Sequence, residues 1–348
     1  MPTRTKIKSK LQPLLAALRD LDEAQVRGAI LDTFAPTCEV RMCHPFGDLT
    51  TDSFYDTCFK PLQTAFPDVE RRDAIYVSGI TPDGSAWFGS CGSYVGTFVA
   101  PFLDIPPTGH LAHMRFHEFY RILNGKVIEV QAIWDIPELM MQANAWPMAP
   151  SLGREWAIPT PMTQDGLVDR PHDMTQANQS LTHVIDMLSA LSRHPTEPVE
   201  AMELERYWHP KMSWYGPAGI GTARGISGFR NWHQIPFLNA MPDRGQYKDE
   251  VSAHFFAEGD YVAVTGWPDM VQTVTCDGWL GIVPNGQKIT LRSLDFWRIE
   301  QGKIRENWVL VDLLDVYNQL GVDVFARLRE FNKARNLGVL SFPTGEIL

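Results

Sequence analysis

The chain has 348 residues, of which 44% are hydrophobic and 21% charged, a composition that supports two globular domains with buried cores. Its formal net charge of −10 argues against nucleic acid and anionic membranes as partners, because both bind concentrated Lys and Arg. The odd number of cysteines, five, and the lack of C-x-x-C spacing predict a reducing, cytoplasmic setting.

Sequence signatures of several large protein classes are missing. There is no G-x-G-x-x-G opening a helix, no P-loop, no H-E-x-x-H and no G-x-S-x-G, so the common nucleotide, zinc-protease and serine-hydrolase sites are not expected. No run approaches the roughly 18 apolar residues that span a bilayer. A basic cluster (Arg4, Lys6, Lys8, Lys10) precedes a short apolar run broken by charges, which predicts a frayed N-terminus and not a signal peptide.

The first part of the chain predicts an α+β domain. A helical segment is followed by a short strand, EVRMC (39–43), and by a second helix that ends near AFPD (65–68). Several strands punctuated by Gly turns then follow, as at NGKVIEV (124–130). Helices followed by a run of antiparallel strands are typical of the α+β class.

A Pro-rich segment separates two copies of this pattern. Residues 145–172 read as an extended linker, which divides the chain into domains 1–144 and 173–348. Asp173 is a predicted N-cap for the helical pattern that follows it. The same order of signals then recurs, with the strand KMSWYG (211–216) and the hairpin turn in EGDYVAV (258–264).

The two copies align with each other. A constant offset of 177 pairs residues 103–139 with residues 280–316, including Gly109 with Gly286, and Asp135 with Asp312. Upstream, AFPD (65–68) pairs with AMPD (240–243) after a slip of two residues. The chain is therefore a tandem duplication whose unit is domain-sized.

The duplication also determines how HLAHMRFHEFYRI (110–122) is interpreted. Its three histidines have helical spacing that would suit zinc, but it pairs with the strand-like QKITLRSLDFWRI (287–299). In a strand, His113 and His117 lie roughly 13 Å apart on one face and His110 points to the other, so they cannot share one ion. We expect His113 and His117 to face the partner sheet and Glu118 to face a pocket.

The segment WLGIVPNGQKITLRSLDFWRIEQGKIRENWVLVDLLDVYNQLG (279–321) and its first-copy counterpart resemble the SnoaL-like polyketide cyclase family, within the nuclear-transport-factor-2-like superfamily. The resemblance covers about residues 34–142 and 207–320. It implies two tandem cone-shaped α+β barrels of the cystatin-like type, each a curved antiparallel sheet wrapped around helices with one apolar pocket. Such cones commonly pair through their sheets, so the copies would form an internal pseudo-dimer, and further homo-oligomerisation stays open.

The resemblance also implies a pair of acid–base residues. The position of the first falls on Asp295 and, in the first copy, on Glu118. The second acid–base residue, usually an Asp in the family, corresponds to Val309 and, in the first copy, to Ala132. Neither copy therefore has the usual second Asp. Burial beside Leu294 and Phe296 would raise the pKa of Asp295 into the working range. The plainer alternative is a strand carboxylate paired with Arg292 or Arg298.

Further site residues are predicted mainly in the second copy. Each also has a plainer interpretation as a core or surface residue. The predicted catalytic residues are Asp295, His254, His233, Asp269 and Tyr215, and the predicted substrate-binding residues are Trp214, Trp267, Trp308, Asn307, Glu118 and His44. Asp135 and Asp312 are interpreted as helix caps. An epoxide-hydrolase site is disfavoured, because Arg292 and Asp295 are three apart and lie on opposite faces.

These residues predict an enzyme that needs neither cofactor nor metal and performs acid–base chemistry on a small oxygenated metabolite. Cyclisation, isomerisation and a lyase or aldol-type step all remain open. The alternative is a non-catalytic small-molecule-binding protein whose N-terminal copy is structural. The sequence alone does not name the substrate.

Overall fold

A computed structural model of the chain describes residues 4–170 and 173–335. It contains two six-stranded sheets with equivalent strand orders, β2-β1-β6-β5-β4-β3 and β8-β7-β12-β11-β10-β9. The first sheet consists of β1 (Phe34–Met42), β2 (Asp48–Thr50), β3 (Glu70–Ile80), β4 (Ala86–Thr97), β5 (Leu111–Leu123) and β6 (Lys126–Trp134). The second consists of β7 (Trp208–Tyr215), β8 (Thr222–Arg224), β9 (Ala253–Glu258), β10 (Tyr261–Val274), β11 (Gln287–Glu300) and β12 (Lys303–Val311).

The helices follow the same duplication. Those of the first copy are α1 (Arg4–Ala17), α2 (Glu23–Thr33), α3 (Thr51–Phe54), α4 (Lys60–Ala65) and α5 (Ile136–Gln142), with a π-helical turn at Tyr55–Phe59. Those of the second are α6 (Met174–Leu191), α7 (Leu204–Tyr207), α8 (Gly225–Phe229), α9 (Ile235–Ala240), α10 (Leu313–Gln319) and α11 (Val324–Arg335). A π-helical turn at Arg230–Gln234 and 3₁₀ turns at Val199–Met202 and Lys248–Glu250 complete this set.

The predicted tandem α+β fold is confirmed. β12 and α10 begin and end 177 residues after β6 and α5, and α9 lies 175 residues after α4. One detail of the expected antiparallel sheets is wrong, because both sheets are mixed. β1 runs parallel to β6, and β7 runs parallel to β12, while the other strand pairs are antiparallel. The first strand of each copy thereby lies beside the last.

The histidine-rich stretch forms a strand, as predicted. β5 starts at Leu111, one residue after His110, and pairs His113 with Val95 and His117 with Cys91 on β4. His117 is buried, and its Nδ1 lies 2.6 Å from the carbonyl oxygen of Leu294 on the other sheet. The face of β5 that carries His117 is thus the face that meets the second copy.

The two sheets pack against each other through alternate residues of their strands. The rings of Phe119 and Phe296, equivalent positions in the two copies, lie 5.1 Å apart. Gly79 approaches Phe256 so closely that a Cβ at Gly79 would lie 2.7 Å from the Phe256 Cβ. Because side chains alternate along a strand, the residues between these contacts point away from the partner sheet and toward the helices.

Buried aspartates make two equivalent contacts at the ends of this interface. Asp135 accepts hydrogen bonds from Arg115 and from the backbone N–H of Ala218 in the other copy, both at 3.0 Å. Asp312 accepts from the backbone N–H of His44 at 2.9 Å and from Arg292 at 3.3 Å. Both aspartates stand at helix N-termini, as predicted, but Asp135 makes no side-chain cap bond.

Two other segments join the copies. The N-terminus is not frayed as expected: α1 buries Ile7 and Leu11, and Lys8 forms an ion pair with Glu258 of the second copy at 2.7 Å. Residues 145–170 contain no helix or strand beyond an isolated bridge between Arg154 and Thr222. Asp173 caps α6 by accepting from the backbone N–H groups of residues 175 and 176. Among the described residues, no helix is both long and apolar enough to cross a membrane.

Candidate active site

The second copy encloses a cavity of about 450 Å³. It lies between the face of the sheet that points away from the first copy and the helices α6, α8 and α9. Its polar lining residues are Ser189, Ser192, His233, Gln234, Arg244, Tyr247, Lys248, Asp269, Gln272, Ser293, Asp295 and Asn307, and the rest of the wall is mostly apolar. A cavity of this size and character suits a small, largely apolar ligand.

Asp295 faces the cavity from the middle of β11. Its strand neighbours are Val264 on β10 and Val309 on β12, and Ser293 Oγ donates to its Oδ1 at 2.8 Å. Burial raises the pKa of Asp295 to about 7, against the smaller lowering effects of the Ser293 hydrogen bond and the Arg115 charge. The plainer alternative, a pairing of Asp295 with Arg292 or Arg298, is wrong, because those side chains bind Asp312 and Glu306.

Asp269 brings a second carboxyl group into the cavity. The pairing of β10 with β11 is irregular between Gly266 and Met270, and Asp269 lies in this bulge. Its Cβ comes so close to Gly266 that any side chain there would collide with it. Burial and the nearby Asp295 raise the pKa of Asp269 well above its usual value. Both effects disfavour the ionised form of Asp269, and the charge of Arg244 opposes them to a smaller extent.

His233 is a neutral member of the cavity wall. The π-helical turn directs it onto Trp214, with the two rings stacked 4.0 Å apart. Burial lowers the pKa of His233 to about 3, assisted by the positive charge of Arg244. An uncharged imidazole in this position can donate or accept a hydrogen bond but does not supply a cation.

Arg244 does supply a cation. It lies in the loop between α9 and the 3₁₀ turn Lys248–Glu250. Burial lowers the pKa of Arg244 to about 10, with Asp269 opposing the change, so the guanidinium remains charged at neutral pH. The cavity thus combines two buried carboxyl groups with raised pKa values, a neutral imidazole and a guanidinium.

Several polar atoms around the cavity have no hydrogen-bond partner among the described residues. They are buried side-chain atoms of lining residues: Trp208 Nε1, His233 Nδ1, Gln234 Nε2, Asp269 Oδ1, Gln272 Oε1, Trp279 Nε1 and Trp297 Nε1. Native proteins leave few buried polar groups unsatisfied, so such a concentration points to a ligand that carries polar groups of its own.

Five of the predicted site residues line the cavity: Asp295, Asp269, His233, Trp214 and Asn307. Asn307 is anchored there by donating from Nδ2 to the carbonyl oxygen of Phe296 at 3.0 Å. The structure brings these side chains together from the strands β7, β10, β11 and β12 and from the π-helical turn.

The expectation that His254, Tyr215 and Trp308 line this cavity is wrong. They occupy the opposite strand face, toward the first copy and the linker. His254 stacks on Trp87 of the first sheet with 5.0 Å between ring centroids. Tyr215 donates to Glu306 at 3.1 Å, and Trp308 Nε1 donates to the Pro159 carbonyl oxygen at 3.1 Å.

Trp267 and His44 also lie elsewhere. The bulge separates Trp267 from Asp269, and the Trp267 ring packs under the Arg292 guanidinium at 4.8 Å. His44 belongs to the turn bound by Asp312, and its ring lies 6.0 Å from that of Phe325. The expectation that Trp267 lines this cavity is therefore wrong, and His44, predicted as a first-copy site residue, lies at the contact between the copies.

Glu118 faces the interior of its own copy, but that interior is filled. Its carboxylate accepts hydrogen bonds from Arg71 at 2.6 Å, Tyr120 at 2.7 Å, Tyr94 at 2.9 Å and Trp134 at 3.0 Å. Burial opposes ionisation, yet Arg71 and these donors lower the pKa of Glu118 below its usual value. With every acceptor position occupied, Glu118 has no capacity left for a substrate.

The sequence interpretation missed several lining residues. Ser293 and Trp297 lie two residues from Asp295 on the same strand, so strand alternation predicts that they face the same cavity. Arg244 and Tyr247 come from a loop with no periodic signal, Gln234 ends a π-helical turn, and Gln272 follows the bulge. Such irregular elements shift side-chain directions in ways that periodicity does not predict.

A second cavity of about 280 Å³ lies between β3, β4 and β5 of the first copy and linker residues 157–160. It is lined by His113, Arg115 and Cys91, and Trp308 contributes from the second copy. Burial strongly raises the pKa of the Cys91 thiol, which argues against nucleophilic chemistry there.

The sequence matches the model of one protein family. The profile of the SnoaL-like polyketide cyclase family matches residues 14–143 and 187–320. A search of curated proteins finds no match.

Solved structures similar to this chain each cover about two fifths of it. AclR, a candidate hydroxylase from Streptomyces galilaeus, is 15% identical and covers 41% of this chain and 87% of its own, with a TM-score of 0.35. IdmH, a candidate polyketide cyclase from Streptomyces antibioticus, is 18% identical and covers 40% of this chain and 98% of its own, with a TM-score of 0.34. A candidate SnoaL-like polyketide cyclase from Jannaschia sp. CCS1 is 18% identical, with coverages of 40% and 93% and a TM-score of 0.34.

Proposed function

Because the chain belongs to the SnoaL-like polyketide cyclase family, we propose that its C-terminal cavity is the active site of an acid–base enzyme. Its substrate is a small, largely apolar metabolite that carries a carbonyl group. The observation that carries the proposal is the pair Asp295 and Asp269 in an apolar cavity, where burial raises both pKa values. Because ionisation of one carboxyl group disfavours that of the other, such a pair can provide a base and an acid at the same pH.

In the proposed reaction Asp295 is the base. With a pKa of about 7 it is substantially ionised at neutral pH, and it takes a proton from the carbon next to the carbonyl group. Asp269, whose ionisation is disfavoured by burial and by Asp295, is the proposed acid and donates a hydrogen bond to the carbonyl oxygen as negative charge develops there. The resulting enolate closes a ring, expels a leaving group or is reprotonated at another carbon.

The remaining lining residues orient the substrate. His233 Nδ1 and the unpartnered side-chain atoms of Gln234 and Gln272 are available for its polar groups. The N-terminal copy has a supporting role in this proposal, since Arg71 and its neighbours fill the space around Glu118.

A deuterium-exchange assay tests this proposal without knowledge of the natural substrate. Small cyclic ketones and β-dicarbonyl compounds are incubated with the protein in D₂O, and exchange at the carbon next to the carbonyl is followed by mass spectrometry. We expect Asp295→Asn to lower the protein-dependent rate by roughly 10²–10⁴-fold, the usual contribution of a general base. Asp277→Asn, which changes an exposed loop aspartate, is the control.

An unchanged exchange rate in Asp295→Asn would show that Asp295 is not the base.

The second candidate function is a non-catalytic binding protein, which is favoured by Val309 at the position where the family usually has an Asp. A compound that binds in the cavity but is recovered without exchange and without conversion supports that alternative.

A further inference from the structure

We propose that the ligand of the C-terminal cavity carries a carboxylate on an apolar, ring-containing body, and that Arg244 binds this carboxylate. The inference rests on the proposed function in so far as it assigns the same cavity to the substrate. It goes further by assigning a carboxylate to the ligand, a group that the proposed proton transfer does not require.

The first argument is the charge of the lining residues. The cationic side chains are Arg244 and Lys248, and the acidic ones are Asp269 and Asp295. In the part of the chain that the structure describes, no ion pair forms with either cation. Burial raises the pKa values of both Asp269 and Asp295, so their ionisation is disfavoured, and His233 is neutral. At neutral pH the wall therefore carries more positive than negative charge.

The second argument is the contrast between Arg244, which is half-buried at the cavity wall, and three fully buried arginines. Arg71 pairs with Glu118 at 2.6 Å, and Arg115 pairs with Asp135 at 3.0 Å. Arg298 pairs with Glu306 at 2.6 Å. Withdrawing a cation from water is costly unless an anion compensates it, and the fold supplies that anion in these three cases. Arg244 is half-buried at the cavity wall, and no acidic side chain of the described residues lies within ion-pair distance of it, so a binding anion must come from the ligand. A carboxylate matches the two-pronged geometry of a guanidinium.

The third argument is the shape of the remaining wall. Trp208, Trp214, Trp279 and Trp297 surround the cavity, and all four are buried. Flat aromatic side chains bind flat apolar rings by stacking and edge contacts. A ring system with one carboxylate therefore matches both the apolar wall and the uncompensated Arg244.

Two isosteric probes test the inference by isothermal titration calorimetry. 2-Naphthoate carries the carboxylate, and 2-naphthamide has the same ring and shape without charge. We expect wild-type protein to bind 2-naphthoate at least tenfold more tightly than 2-naphthamide. In Arg244→Gln the preference should fall to within twofold, while the affinity for 2-naphthamide stays unchanged and so reports an intact cavity.

Two further variants complete the design. Arg244→Lys keeps the charge but loses the paired donors, so its preference for 2-naphthoate should be intermediate. Arg206→Gln removes an exposed arginine that does not line the cavity, and it should behave like wild type. The inference is overturned if wild-type protein binds neither probe, binds both equally, or if the preference survives Arg244→Gln.

The result is separable from that of the deuterium-exchange assay. An Arg244-dependent preference without any Asp295-dependent exchange leaves the carboxylate site standing and removes the proposed catalysis. Exchange that depends on Asp295, together with equal binding of the two probes, removes only the carboxylate site.

Discussion

At the scale of single residues, one strand position has opposite properties in the two copies. Glu118 and Asp295 are equivalent acids, but Arg71 and three further donors surround Glu118, whereas Asp295 receives one hydrogen bond, from Ser293. The pKa of Glu118 is lowered, and that of Asp295 is raised to about 7. The number of compensating partners, more than burial itself, decides which carboxyl group is available for proton transfer.

The raised pKa of Asp295 predicts a pH-dependent loss of stability. In the unfolded chain this group ionises near pH 3.9, so between about pH 4 and 7 the folded state binds the extra proton. The corresponding stability is fully present below pH 4 and is lost as the pH rises through 7, by up to about 1.4 kcal/mol per pH unit.

Asp295→Asn removes the contribution of this carboxyl group to the pH dependence of the free energy of unfolding. We therefore expect the variant to unfold at higher urea concentration than wild type at pH 8, with little difference at pH 4. Urea unfolding curves from pH 4 to 8 measure the effect, and Asp277→Asn should parallel wild type. Identical pH slopes for wild type and Asp295→Asn would contradict the raised pKa.

At the scale of elements, strand alternation explains which site predictions were right. Trp214 and Tyr215 are adjacent on β7, and Asn307 and Trp308 are adjacent on β12, so only one of each pair can face the cavity. The internal repeat predicted these strands well. It also placed His117 of β5 toward the other copy, where its Nδ1 lies 2.6 Å from the Leu294 carbonyl oxygen. It did not decide which residue of each pair on β7 and β12 faces the cavity.

The bulge in β10 is an element whose effect can be tested. A Cβ at Gly266 would lie 1.8 Å from the Asp269 Cβ, so Gly266→Ala must displace the backbone that carries Asp269. We expect a loss of about 1–3 kcal/mol in the free energy of unfolding, typical of overpacking, and a clear loss of deuterium exchange. Urea unfolding and the exchange assay measure both effects.

Gly28 offers a matched control for this substitution. It lies exposed inside α2, and a Cβ there would contact nothing within 4 Å. Gly28→Ala should therefore stabilise the protein by about 0.5–1 kcal/mol through helix propensity and leave exchange unchanged. If Gly266→Ala behaved like Gly28→Ala, the bulge would have no part in positioning Asp269.

At the scale of the whole molecule, the two copies share a fold but differ in their interiors. The offset of 177 residues predicted the duplication, and the fold followed from it. The sequence did not indicate that Arg71 fills the first interior, nor that Arg244 enters the second from a loop. Both depend on where a long side chain ends in three dimensions, which neither periodicity nor the resemblance specifies.

Arg115 connects the first copy to the active-site wall of the second. Its guanidinium donates to the carbonyl oxygens of Tyr215 at 3.1 Å and Gly216 at 2.6 Å. Gly216 lies directly against the ring of Trp214, which in turn stacks on His233. The positive charge of Arg115 also favours the ionised form of Asp295, although burial has the larger effect on its pKa.

Arg115→Met should therefore change both stability and the pH dependence of catalysis. Removing one partner of a buried ion pair costs roughly 3 kcal/mol, and the loss of positive charge raises the pKa of the proposed base. The rate of deuterium exchange should rise with pH as Asp295 ionises, and this rising limb, centred near pH 7 in wild type, should move to higher pH in the variant. Arg292→Met breaks the equivalent pair with Asp312 and serves as control, since its stability should fall while the limb stays in place. Equal shifts of the limb in both variants would mean that Arg115 acts through general loosening of the interface and not on Asp295.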